Sequence, residues 1–166
     1  LDDTEYIIKN IPVTEKVRGH EIKYVKKETY CKECGGLVYV GEINDENLNT
    51  LYSAARKVED LISIEKIEEI MKKYDIGKRP LSKLLGWGDL TITRYLEGFL
   101  PNKKYSDKLK LILDDVEEML SLLESNKGNI SNVAYNKTME AIKKLKSNEV
   151  CIDAEYSKLI RVSKYI

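Results

Sequence analysis

The amino-acid sequence predicts an α+β fold that is mostly α: a small N-terminal β domain, then a helical bundle, then a helical C-terminal extension. Three observations lead there. Residues 5–43 consist of short β-rich runs bounded by glycines. From residue 44 onward, apolar residues recur three and four apart, the helical period. The stretch SKLLGWGDLTITRYLEG (82–98) breaks one apolar helix at Gly86, Trp87 and Gly88 and restarts another almost at once. The expected divisions are residues 1–43, 44–113 and 114–166.

In the β domain, EYIIKNIPVTEKV (5–17) is interrupted by Arg18-Gly19. HEIKYVKKETY (20–30) follows with Ile22 and Tyr24 on one face, and LVYVGEI (37–43) reads as a third strand. Strands this short and polar bury little core, so a metal or a partner is expected to support them.

The helices follow in order. Asn44 or Asp45 is expected to cap a helix carrying Leu48, Leu51, Tyr52, Ala55 and Val58. Ser63 is expected to cap the next, with Ile64, Ile67, Ile70, Met71 and Tyr74 as its stripe. Gly77 and Pro80 punctuate the chain, and Pro80 suits a first helical turn. Short helices are predicted at about 80–85 and 89–97, a break at Leu100-Pro101, and a further helix from near Lys104. Residues 116–125 and 131–146 read as amphipathic helices, the second capped by Ser131, with SNKGN (125–129) as a loop. The pattern weakens over 147–153 and returns as helix over 154–166. The stripe Val133, Ala134, Tyr135, Met139, Ala141, Ile142 and Leu145 suits a core or a partner helix.

Composition narrows the function. Net charge is zero over 166 residues, one third of them charged. No apolar run approaches the roughly 18 residues that cross a bilayer. Three cysteines, an odd number, argue against a disulfide framework and for a reducing cytoplasm. An enzyme is not expected: there is one histidine, no glycine-rich phosphate loop and no nucleophile motif. Charge is distributed unevenly. Between Gly77 and Lys104, Lys78, Arg79, Lys83, Arg94, Lys103 and Lys104 face only Asp89 and Glu97; from Tyr105 to Lys127, six carboxylates face three lysines. A basic island beside an acidic segment is the footprint of a local phosphate-binding face.

The 82–98 stretch fits that island. Leu81, Leu84 and Leu85 line one face of a short helix, Gly86 suits the left-handed conformation that ends it, and Trp87 is placed to plug the angle. Asp89 is expected to cap the second helix, with Ile92, Tyr95 and Leu96 turned inward. Asp89, Leu90, Thr91, Thr93 and Arg94 are then expected to meet DNA: threonine offers a hydroxyl and a methyl, and arginine a bidentate grip on guanine or phosphate. Lys78, Arg79, Lys103 and Lys104 are expected phosphate contacts. A plain helical hairpin with a solvated polar face is the alternative.

KRPLSKLLGWGDLTITRYLEG (78–98), followed by a proline and a basic helix, resembles the helix-turn-helix of the Cro/repressor class. More narrowly, it is similar to the C-terminal half of YgiT-type (MqsA-like) antitoxins, which join an N-terminal zinc ribbon to such a module. The likeness spans roughly residues 15–113, including RGHEI (18–22), YCKECGG (30–36) and the helix with Tyr52, Ala55 and Arg56. It departs at Leu96, where an acidic residue often stands; Glu97 lies one place later. The resemblance implies a repressor that autoregulates its operon, with an operator duplex and a cognate toxin as partners and a homodimer as the working form. The alternative is a protein-interaction module that neutralises a toxin, with the helix-turn-helix as scaffold.

Cys31-Lys-Glu-Cys34-Gly-Gly is one half of a zinc knuckle: two thiolates at this spacing share a metal, and the glycines let the chain leave the turn. A tetrahedral site needs four ligands. His20 reads as a surface strand residue, and Cys151 lies far off in sequence. The resemblance implies a second CxxC near the N-terminus, and the chain, which opens on Leu1, is expected to have lost it. Zinc would be structural, complete or incomplete in this chain. A thioredoxin-like redox role lacks the surrounding βαβ unit. The tail IRVSKYI (160–166) resembles the first helix of a Panacea (SocA-like) domain, which implies that the native chain continues past Ile166.

Overall fold

The computed structural model describes residues 5–162, with side chains described through Ser147. It is α+β and mostly α. An antiparallel hairpin, β1 (Tyr6–Val17) and β2 (His20–Cys31), is followed by α1 (Gly41–Val58), α2 (Ile64–Lys73), α3 (Lys78–Leu84), α4 (Thr91–Leu96), α5 (Lys103–Asp114), α6 (Val116–Ser125) and α7 (Asn132–Val162). The chain divides into two compact units: Leu1–Ser63 with Gly98–Ser106, and Ile64–Glu97 with Asp107–Ile166.

In the first unit, Arg18 and Gly19 both have positive φ (48° and 90°), the handedness of a two-residue turn that matches strand twist. The register Val17↔His20 runs unbroken to Tyr6↔Cys31. The third strand expected over 37–43 does not form. Leu37 makes a single bridge to Tyr30, Val38 N–H donates to Thr29 O at 2.9 Å, and the Thr29 hydroxyl donates back to Val38 O. By Gly41 the chain is already helical, so α1 starts earlier than the sequence predicts. Val40 precedes it without a side-chain cap, and neither Asn44 nor Asp45 serves as one. Asn44 instead donates from its side-chain amide to Val40 O, inside the first turn.

Helix α1 supplies the core that the hairpin lacks. Ile22 is buried against Leu51 and Ala55, with Val17, Tyr24, Tyr52 and Leu100 packed around them. Asn47, buried on α1, meets the edge of β2 as another strand would: it accepts from Lys27 N–H at 2.7 Å and donates to Lys27 O at 2.8 Å. That side chain satisfies backbone groups that would otherwise be orphaned at a sheet edge. Two arginines hold segment 98–101. Buried Arg56 donates to Ile62 O (2.9 Å), Phe99 O (2.8 Å) and Gly98 O (3.3 Å), and Arg18 donates to Leu100 O and Pro101 O, both at 2.8 Å.

The second unit is a helical bundle around Ile67, Ile70, Tyr74, Leu81, Leu84, Ile92, Leu109, Ile112, Met119, Leu123 and Ile142. The last carbonyls of α5 are satisfied from α2 and the residue after it: Lys73 Nζ donates to Leu113 O and the Tyr74 hydroxyl to Ile112 O. Asp115 caps α6 by accepting from Glu117 and Glu118 N–H. Ser131 accepts from Ala134 N–H at 3.2 Å at the start of α7, as expected. Where the apolar pattern weakens, over 147–153, α7 continues unbroken to Val162. An unbroken ladder of backbone hydrogen bonds outlasts a lapse in apolar period, because period reports burial and not helicity. The side chains of Cys151 and of 154–166 lie outside the described residues.

Candidate nucleic-acid interface

The corner between α3 and α4 is built by local rules. At the end of α3, Gly86 (φ 70°) takes the left-handed conformation; Gly86 N–H donates to Lys83 O at 3.0 Å and Trp87 N–H to Ser82 O at 2.9 Å. This double closure satisfies carbonyls left over at a helix C-terminus, and glycine adopts it without strain. Asp60 after α1 and Asp75 after α2 take the same left-handed role (φ 48° and 46°).

Ser82 joins the two helices. It is fully buried; its hydroxyl donates to Lys78 O at 3.1 Å and accepts from Ile92 N–H at 3.1 Å. The start of α4 is thus fastened to the middle of α3 by one side chain. Apolar spacing alone does not single this serine out; its only signal in the sequence is a small polar residue between Leu81 and Leu84 on an apolar face. Trp87, expected to plug the corner, is only partly buried and meets Tyr95 edge to face with ring centroids 6.4 Å apart. The fully buried apolar side chains at the corner are Leu81, Leu84 and Ile92.

Asp89 does not cap α4. Leu90 occupies the position before the helix, and no side chain accepts a hydrogen bond there. The Asp89 carboxylate instead faces cations of α3: Lys83 Nζ at 3.6 Å and Arg79 Nη2 at 3.8 Å from Oδ2. Two positive charges outcompete backbone N–H groups for one carboxylate. On α4, Ile92 and Tyr95 are buried, Thr91 and Thr93 are partly exposed, and Arg94 is exposed. Arg94 N–H donates to Leu90 O at 2.9 Å, which sets Leu90 and Arg94 one turn apart on the same face. Among the described residues the Arg94 guanidinium has no hydrogen bond or ion pair. Lys78, Arg79, Lys83, Leu90, Thr91, Thr93 and Arg94 thus all belong to the second unit, on or beside α3 and α4. Lys103 and Lys104 open α5 in the first unit, where Lys103 Nζ is engaged by Asp60 O at 3.0 Å and by its carboxylate at 3.1 Å.

The CxxC turn follows β2. Gly35 (φ 70°) donates to Cys31 O at 3.0 Å, and Cys31 N–H donates to Gly36 O at 2.8 Å. Cys31 is buried and Cys34 exposed. The N–H groups of Cys34 and Glu33 are aimed at Cys31 Sγ, Glu33 N at 3.4 Å, and hold its thiol below the usual range. Backbone donors on a sulfur favour the thiolate, the form that ligates metal. The CxxC turn thus carries one buried and one exposed thiol, two of the four ligands that a tetrahedral site needs. Among the described residues no third or fourth His, Cys, Asp or Glu joins them. His20 is exposed in β2 beside the Arg18-Gly19 turn, at the far end of the hairpin from Cys31.

No protein-family model matches the chain, and no curated protein matches it. No helix among the described residues is long and apolar enough to cross a membrane.

Proposed function

We propose that this chain is a sequence-specific DNA-binding repressor, with α3 and α4 as its helix-turn-helix and α4 as the element that enters the major groove. The observation that supports this best is Arg94: exposed, without a partner among the described residues, and flanked by the partly exposed hydroxyls of Thr91 and Thr93. Holding such a group ready for a base edge or phosphate is what a reading helix does. Lys78, Arg79 and Lys83 supply phosphate contacts that set register without reading sequence. A homodimer presents two such helices to half-sites one duplex turn apart. On this reading the protein is not an enzyme. It works in the cytoplasm as the antitoxin of a toxin–antitoxin pair and silences its own operon. Cys31 and Cys34 would hold structural zinc together with two further ligands, tying down the end of the hairpin.

Arg94→Ala is expected to lower operator affinity at least tenfold in a mobility-shift assay, with an unchanged thermal melt. Unaltered affinity would remove the basis of the proposal. A second reading, direct capture of a toxin by the hairpin and the segment that follows it, draws on the exposed apolar side chains Ile7, Ile8, Leu37 and Tyr39. Co-purification of the chain with the product of a neighbouring gene, retained in the Arg94→Ala variant, would favour it.

A further inference from the structure

We infer that Leu90 reads the 5-methyl group of a thymine in the operator, next to the base or phosphate held by Arg94; the inference rests on the DNA-binding reading above. Leu90 is 53% exposed. It stands immediately before α4, where Ser, Thr, Asn or Asp would accept a free backbone N–H and leucine is among the poorest residues. The side chain therefore provides no cap and leaves about half of its surface in water. A role outside the folded chain accounts for its presence.

The surroundings indicate which partner. The Arg94 N–H to Leu90 O hydrogen bond aligns the leucine with a free guanidinium on one face. Thr91 and Thr93 flank the pair. Lys78, Arg79 and Lys83 lie on α3, with Asp89 as the carboxylate beside them. A half-exposed apolar group next in the chain to Asp89, which Arg79 and Lys83 face, and one turn from Arg94 suits a polyanion that also presents a small apolar feature. The major groove of DNA does so at one place, the thymine 5-methyl, while guanine and phosphate answer the arginine.

The experiment uses the full chain and a pool of duplexes with about 20 randomised base pairs, enough for two half-sites a helical turn apart. Each thymine of the selected sequence is then replaced by uracil, which removes only the methyl. At one thymine per half-site, uracil should weaken binding about fourfold, the worth of one buried methyl. Leu90→Ala should bind thymine and uracil duplexes alike, and Leu90→Met should retain the discrimination. Leu90→Ala should melt with the parent, since the side chain is exposed. If no thymine is sensitive, or if Leu90→Ala discriminates as the parent does, the inference is overturned while DNA binding stands. If selection enriches no sequence, the DNA-binding reading falls, and this inference with it.

Discussion

Ser82 shows how much one buried hydroxyl carries. It closes a hydrogen bond within α3 and receives Ile92 N–H from α4, the second away from water. Ser82→Ala removes the acceptor and strands a buried backbone donor, so a loss of about 1–3 kcal/mol in unfolding free energy is expected in urea titration. A variant as stable as the parent would refute the fastening role. In the hairpin, burial pushes the Tyr24 hydroxyl up to about 12, helped by the Glu15 carboxylate that accepts its proton at 2.8 Å. The unfolded chain releases this proton near 10. The folded form thus binds more protons between those values, and its stabilisation is complete below about pH 10 and lost as pH rises to about 12. Urea midpoints should fall through that window, and Tyr24→Phe should flatten the fall; parallel curves for parent and variant would contradict it.

Among the elements, the segment after α4 depends on arginines of other elements more than on its own residues. Arg56 reaches from α1 to the carbonyls of Ile62, Gly98 and Phe99, and no other side chain type offers five donors in a planar fork. Arg56→Met keeps the aliphatic stem but leaves these carbonyls without their charged donor. A loss of about 3 kcal/mol is expected, from calorimetry or denaturant melts. A change below about 0.5 kcal/mol would mean that water replaces the guanidinium freely. The same dependence explains the hairpin. β2 keeps its edge satisfied through Asn47 and its apolar face covered through Leu51 and Ala55, so α1 does for it what a third strand was expected to do.

For the molecule as a whole, net charge is zero, so affinity for a polyanion has to come from where the charges lie. On the proposed function, Lys78→Ala should weaken binding similarly for operator and unrelated duplexes. It should also make the slope of log affinity against log salt shallower, by about 1 for each phosphate that the variant no longer neutralises. An unchanged slope would take Lys78 out of the interface.

Much of this protein is legible along the chain because it follows from local stereochemistry. The glycine-ended α3, the two-residue turn at Arg18-Gly19, the serine cap of α7 and the α+β class each depend on residues a few positions apart, whose spacing a sequence displays directly. What escapes such reading depends on groups far apart in the chain competing for one partner. Asp89 turns to Arg79 and Lys83 and leaves Leu90 to open α4; Asn47 takes the β2 edge at Lys27, beside the short pairing that Leu37 and Val38 make; Ser82 waits ten residues for Ile92. Hydrogen bonds and charges are satisfied wherever three-dimensional proximity offers the better partner, and that proximity exists only once the chain has folded.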